Sequence, residues 1–270
     1  MLMMDSVAVE DLLLDAAARA DVVRFQGLLE DAELLERPLK LNVPVSPGSL
    51  EGRTLLQYIV SRTVSAADSR FSPQRAMLLL LLDTDHCPKC LANLGLNVPD
   101  YHGNTALMLA ILYRDPVMVA MLANTGRCNL SAKNLAGDTA LSLAVKAGDF
   151  LPEETTEAGF PGCLIALLTC PEELSVSECQ VSTLLYHNSE APRQGFMGAV
   201  EFCEHERHYL PQKYLVTVAW LRRYQRDPDG TRRLARAQQP WTHLFPDHGL
   251  VDDVDFVYED FHGPRWCVVQ

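Results

Sequence analysis

The chain has 270 residues, 48% hydrophobic and 21% charged, enough for one large domain or two small ones with a proper core, and too apolar for disorder throughout. Its 35 Asp and Glu against 23 Lys and Arg give a formal charge of -12, which argues against general attraction to polyphosphate. The longest charge-free run, Ala158 to Pro171, has 14 residues and two prolines, short of the roughly 18 to 20 apolar residues that span a bilayer. Met1 to Glu10 contains Asp5 and Glu10 and no basic residue, unlike a secretory signal, so a cytoplasmic location is expected. Eight cysteines, at 87, 90, 128, 163, 170, 179, 203 and 267, are too sparse for a disulfide scaffold and are expected to be reduced thiols.

In chain order, Leu12 to Leu29 reads as two short helices, the second capped by Asp21. Glu51-Gly-Arg-Thr-Leu-Leu-Gln-Tyr-Ile59 follows, with Gly52 two residues before Thr54. Ser72-Pro73 opens the helix that carries Met77 to Leu82. Asp100-Tyr-His-Gly-Asn-Thr-Ala-Leu-Met-Leu-Ala110 then aligns with Asn134-Leu-Ala-Gly-Asp-Thr-Ala-Leu-Ser-Leu-Ala144, both glycines and both threonines standing 34 residues apart. In each copy the glycine suits a turn of positive φ, the threonine accepts from the free N–H groups opening a helix, and Leu, Leu and Ala form one inward stripe. Asp115-Pro116 starts a second helix with Val117, Val119, Met121 and Leu122, so the unit is a helix pair entered by a turn. Gly162 to Leu168 is a further helix, and Ser182-Thr-Leu-Leu-Tyr-His187 echoes Arg53 to Tyr58 without the glycine.

These units resemble ankyrin repeats, whose signature is Gly, Thr two residues on, then Pro-Leu-His-x-Ala. Here Ala106 and Ala140 stand for the family proline, and Met108 and Ser142 for its histidine. The resemblance implies four repeats, or five if 182–187 opens another, over about residues 10–207. The threonines at 54, 105, 139 and 183 are separated by 51, 34 and 44 residues, against a family period of about 33. Insertions at Thr63 to Phe71 with Thr84 to Ala92, and at Phe150 to Pro161, account for the excess. They read either as sites of individual function or as neutral surface elaboration.

Beyond residue 207 the repeat signal fades. His208 to Tyr224 places Leu215, Val218, Ala219 and Arg222 at helical spacing and ends at Asp227-Pro-Asp-Gly230, a strong turn signal, which suits a capping helix. Residues 220–240 hold six arginines and two aspartates, whereas 246–262 hold six acids and no Lys or Arg, so the halves of this tail either pair with each other or offer an anionic-partner site. Leu210-Pro211 with Leu215, Val218 and Leu221 resembles the first helix of an F-box, a module that recruits a ubiquitin ligase in some viral ankyrin proteins, but lacks the usual following acidic residue. Cys267-Val-Val-Gln270 fits a prenylation box that would favour farnesyl, or else a coincidental apolar end. One lipid chain binds membranes marginally, and the acidic stretch Asp252 to Asp260 opposes anionic lipid.

Motifs of catalysis are weak. His86-Cys-Pro-Lys-Cys90 supplies half a zinc site, and Cys203-Glu-His-Glu-Arg-His208 spaces its histidines three apart where a zinc-protease helix needs four. Neither phosphate-binding glycine loops nor a nucleophile elbow occur. A catalytic C-terminal domain would have to gather His205, His208, His243 or His248 in one pocket.

The expected fold is therefore all-α: an ankyrin-repeat-like helical solenoid with two insertions over residues 1–207, then a helical C-terminal cap and acidic tail over 208–270. The expected function is protein–protein interaction, as adaptor, scaffold or inhibitor, by a chain that is monomeric alone. No enzyme activity, cofactor, metal or nucleic acid is expected, and membrane contact only if Cys267 is lipidated. The expected contacts are the turn tips Glu51, Arg53, Tyr101, His102, Asn104, Leu135 and Asp138 with the inner-helix positions Gln57, Met108, Tyr113, Ser142 and Lys146. Tyr101 and Tyr113 are the preferred centres, since aromatic residues dominate interface energetics.

Overall fold

The computed structural model describes residues 9–34, 39–44, 52–62, 72–82, 94–147, 162–185, 193–206 and 211–238, all within one compact unit spanning Met1–Gln239. Helices come in pairs: α1 (Val9–Ala18) with α2 (Val22–Leu34), α3 (Leu55–Ser61) with α4 (Pro73–Leu82), α5 (Ala106–Leu112) with α6 (Pro116–Ala123), and α7 (Ala140–Ala147) with α8 (Gly162–Leu168). Among the described residues α1, α3, α5 and α7 touch in succession, and so do α2, α4, α6 and α8, giving two parallel rows joined pairwise like rungs. Helices of seven or eight residues are marginal alone, so the tertiary burial between rows must hold them. All eight residues of α6 and all seven of α8 are buried, as suits helices enclosed on several sides.

Local chemistry sets where each helix begins. Asp21 accepts the Arg24 N–H at 3.0 Å, Ser72 the Arg75 N–H at 3.2 Å and Asp115 the Met118 N–H at 3.1 Å, each binding the N–H three residues on. Ala20 (φ 58) and Arg114 (φ 57) precede two of these caps in the left-handed conformation, so the link between paired helices turns the same way in both units.

Asp115 does more than cap. Both its carboxylate oxygens face the Arg75 guanidinium of α4, at 3.1 Å from Nε and 3.0 Å from Nη2, and the two side chains are only 2% and 8% exposed. This bidentate pair ties α4 to the start of α6 and is the deepest ion pair among the described residues.

The chain is not all-α. Where Ser182 to His187 was expected to open a helix, β1 (Gln180–Leu185) pairs antiparallel with β2 (Arg193–Gly198), with Ser182 opposite Phe196. The physical difference from the true helix starts is twofold. No glycine stands two residues before Thr183, and Ser182 binds Asp138 through its N–H (3.2 Å) and hydroxyl (2.8 Å) rather than capping a helix of its own.

After the hairpin come α9 (Ala199–Glu206), α10 (Pro211–Arg226) and α11 (Pro228–Gln238). The capping helix expected at 208–224 is α10, but its buried face is Tyr214, Val218, Leu221 and Tyr224, while Leu215, Ala219 and Arg222 lie outward. Asp227-Pro-Asp-Gly230 does not end the helical region. Asp227 accepts the Gly230 N–H at 2.9 Å and its carbonyl accepts the Thr231 N–H at 3.1 Å, so the motif starts α11 in the same manner as Asp115-Pro116 starts α6.

The arginines of this region are partly absorbed by the fold. Arg232 donates to the Glu172 carbonyl (3.1 Å) and Arg236 to the Thr169 carbonyl (3.3 Å), placing cations at the carboxyl end of α8, where the helix dipole favours them. Arg222 pairs with Glu204. The acidic residues of 246–262 lie outside the described residues, as do His86 to Cys90, both insertions, Leu210, His208, His243, His248 and Cys267.

Candidate functional site

The two aligned turns have the same hydrogen-bond pattern. In one, the Gly103 N–H donates to the Asp100 carbonyl (2.9 Å), the Asp100 N–H to the Asn104 carbonyl (2.9 Å), and Asp100 Oδ1 accepts from the His102 and Asn104 N–H groups. In the other, Gly137 donates to Asn134 (2.9 Å), Asn134 to Asp138 (3.0 Å), and Asn134 Oδ1 accepts from Ala136 and Asp138. Gly52, Gly103 and Gly137 share positive φ of 72, 79 and 83, which an L residue adopts only with strain.

Adjacent turns are fastened edge to edge. The Leu135 N–H donates to the His102 carbonyl at 3.0 Å, and Asn134 Nδ2 to Asn104 Oδ1 at 3.0 Å. Each glycine is covered by the next turn in line. Methyl carbons added at Gly52, Gly103 and Gly137 would lie 2.4 Å from the Tyr101 ring, 2.8 Å from the Leu135 backbone nitrogen and 3.1 Å from the Phe196 ring. The β1–β2 hairpin thus takes the position that a further turn would occupy.

This stacking leaves a row of large apolar side chains in solvent: Tyr101 is 63% exposed, Leu135 80% and Phe196 51%. Because hydrogen bonds fix the backbone under them, little ordering entropy is lost when a partner covers them. Phe196 is a member of this row that no repeat motif announces. Its only signal in the sequence is an aromatic residue in a glycine-bounded stretch, Gly195-Phe-Met-Gly198.

The remaining expected contacts divide by burial. His102 is exposed, and Arg53 and Lys146 are half-buried. Tyr113 is 37% exposed but caps the far end of α5, roughly 10 Å of helix away from the turn that holds Tyr101, so the two preferred centres are not brought together. Asn104, Asp138, Gln57, Met108 and Ser142 are buried, the last three with no exposure at all. The reason lies in the cap: each of the three occupies the third helical position and donates its N–H to the capping threonine, and the Gln57 and Ser142 side chains bond back to that threonine. Gln57 accepts the Thr54 N–H at 2.8 Å and donates to the Val98 and Asn104 carbonyls at 2.7 and 3.1 Å, stitching one unit to the next. Ser142 accepts the Thr139 N–H at 2.8 Å and donates to Asp138 at 3.2 Å. Glu51 and Cys267 lie outside the described residues.

Asp138 is a polar node. Besides Ser142 and Ser182 it receives Lys146 Nζ at 2.7 Å, while being 3% exposed itself, and so holds the hairpin against α7. Burial makes the nearby thiols poor nucleophiles: it pushes Cys179 up to about 11 and Cys128 up to about 12. Cys128 Sγ lies 3.3 Å from the Leu122 carbonyl and Cys170 Sγ 3.4 Å from that of Ala123, and both donate to the last turn of α6. Cys128, Cys163, Cys170, Cys179 and Cys203 are buried and not joined in disulfides.

Among the described residues no three His, Cys, Asp or Glu side chains are grouped to hold a metal, and no helix is long and apolar enough to cross a membrane. A shallow cavity of about 200 Å³ between Glu10, Lys40, Leu41 and Leu55 contains no histidine. His205 is exposed beside Glu206. In the segment resembling an F-box helix, Val218 and Leu221 are buried by the chain itself and Leu215 is half exposed.

Residues 91–144 match the family described as ankyrin repeats (many copies), a stretch holding both aligned turns, α5 and α6. No curated protein matches the chain.

Proposed function

We propose that the chain is an ankyrin-repeat interaction module. The four helix pairs α1 to α8 are its repeats, the hairpin and α9 to α11 close the last one, and a partner protein binds along the row of turns. The row of Tyr101, Leu135 and Phe196, apolar, exposed and seated on two hydrogen-bonded turns and a paired β-strand, carries this reading. A contiguous exposed apolar patch marks an interaction site, and aromatic side chains are among those that supply most binding energy when covered. His102 and Arg53 flank them, while Gln57, Met108 and Ser142 keep the frame rigid from within.

The matched family supports a binding role. The test is quantitative affinity purification from cells with the full chain and a Tyr101→Ser/Leu135→Ser/Phe196→Ser variant. Specific partners should be lost by the variant while its far-UV circular dichroism stays unchanged. Retention of every specific partner by a folded variant would refute the reading.

A further inference from the structure

We infer that the protein segment recognised by the turns is acidic as well as apolar. This rests on the interaction reading above and adds the chemistry of the partner. Residues 52–147 contain nine Lys and Arg against six Asp and Glu, a local excess of positive charge in a chain of net charge -12. Burial sharpens the contrast. Among the described residues of this span the acids are Asp100, Asp115 and Asp138, and all are buried, at 5%, 1% and 3% exposure. Each is turned inward by a structural duty: Asp100 holds its own turn, Asp115 meets Arg75, and Asp138 meets Lys146 and Ser182.

The charges that reach solvent there are consequently cationic. Lys133 and Arg127 are exposed, with no ion-pair partner among the described residues, and Lys133 stands two residues before Leu135. The Leu135 N–H bond to the His102 carbonyl brings Tyr101, His102 and Leu135 onto one edge, with Lys133 on the chain leading into it. An apolar centre with a cation beside it, and no exposed carboxylate among the described residues of 52–147, complements a segment that alternates acidic and large apolar side chains. A nucleic acid fits less well. Tyr101 and Phe196 offer π faces, but Leu135 between them, the most exposed of the three at 80%, offers none, so the row is a broken stacking platform. Two or three cations also make a weak phosphate track.

The test selects displayed random 16-residue peptides on the full chain, then measures the enriched peptides by fluorescence anisotropy against the unaltered chain and folded variants. The expected result is enrichment of peptides with net negative charge and two or more large apolar residues. Leu135→Ser should weaken them at least about tenfold. Lys133→Glu should weaken them about fivefold, with Lys133→Arg restoring binding and added salt reducing it.

Peptides that need Leu135 but carry no acidic excess would overturn this inference and leave the interaction reading intact. A labelled dT20 oligonucleotide that displaces Leu135-dependent peptides at equal concentration would overturn the inference as well. No enrichment, or enrichment indifferent to Leu135→Ser, would overturn both.

Discussion

The ion pair between Arg75 and Asp115 gives the sharpest test of how the helix rows are held. Asp115 accepts from Nε and Nη2 of Arg75 and from the Met118 N–H, all between 3.0 and 3.1 Å, in a site where neither side chain exceeds 8% exposure. Asp115→Ala takes the bidentate carboxylate from a buried guanidinium and uncaps α6, which should cost about 3 to 5 kcal/mol from the broken ion pair and about 1 kcal/mol from the cap. Asp115→Asn keeps an oxygen for the Met118 N–H, so its loss should fall below that of the alanine variant by about the cap contribution. Arg75→Met should cost several kcal/mol alone and far less when combined with Asp115→Asn, because the double change removes both buried charges and keeps the cap. Urea unfolding followed at 222 nm, with constant m values, measures each step, and the cycle should give a coupling of about 2 kcal/mol or more. Single variants each costing under about 1 kcal/mol, or strictly additive losses, would refute the reasoning.

Three further outcomes are expected. Gly103→Ala should destabilise more than Gly52→Ala: both adopt positive φ, costing about 1 to 2 kcal/mol, but at Gly103 the methyl meets backbone of Asn134 and Leu135 whereas at Gly52 it meets the exposed Tyr101 ring, which can swing away. Denaturant midpoints rank them. Ala20→Gly relieves a left-handed alanine and should raise the melting temperature by a few degrees, about 0.5 to 1 kcal/mol, with no change in helix content. Stability should fall as pH rises above about 9, where an unfolded thiol ionises. Native Cys128 and Cys179 keep their protons to about 12 and 11, so the unfolded state holds fewer protons than the native one in that window. A Cys128→Ala/Cys179→Ala variant should lose less stability between pH 9 and 11, and in the unaltered chain both thiols should react with iodoacetamide only on unfolding.

What could be read before any coordinates was chemistry confined to a few neighbouring residues. Gly103 and Gly137, Thr105 and Thr139, and the Asp-Pro start of α6 each act within four positions, and all do what their types imply. Asp227-Pro228 carries the same helix-start signal as Asp115-Pro116; the glycine at 230 gives it equally the composition of a turn, and only the packing of α11 on α8 decides between them. The hairpin was hidden because Ser182-Thr-Leu-Leu matches a helix start in composition, while the deciding partner, Asp138, lies 44 residues earlier. The same distance explains the interaction row. Leu135 and Tyr101 are legible as turn tips, but Phe196 joins them through the strand that packs on Gly137. The inward turn of Gln57, Met108 and Ser142 follows from cap geometry, which composition alone does not specify.

Site-specific crosslinking tests the interaction surface most directly. A benzoylphenylalanine placed at Leu135 or Tyr101 on the turns, and in parallel at Leu79, 42% exposed on α4, would be photoactivated in cells producing the full chain. Discrete protein adducts from positions 135 and 101, suppressed by an excess of tip-selected peptide and missing from position 79, are the predicted result. Adducts from Leu79 alone, with both turn positions silent, would contradict it.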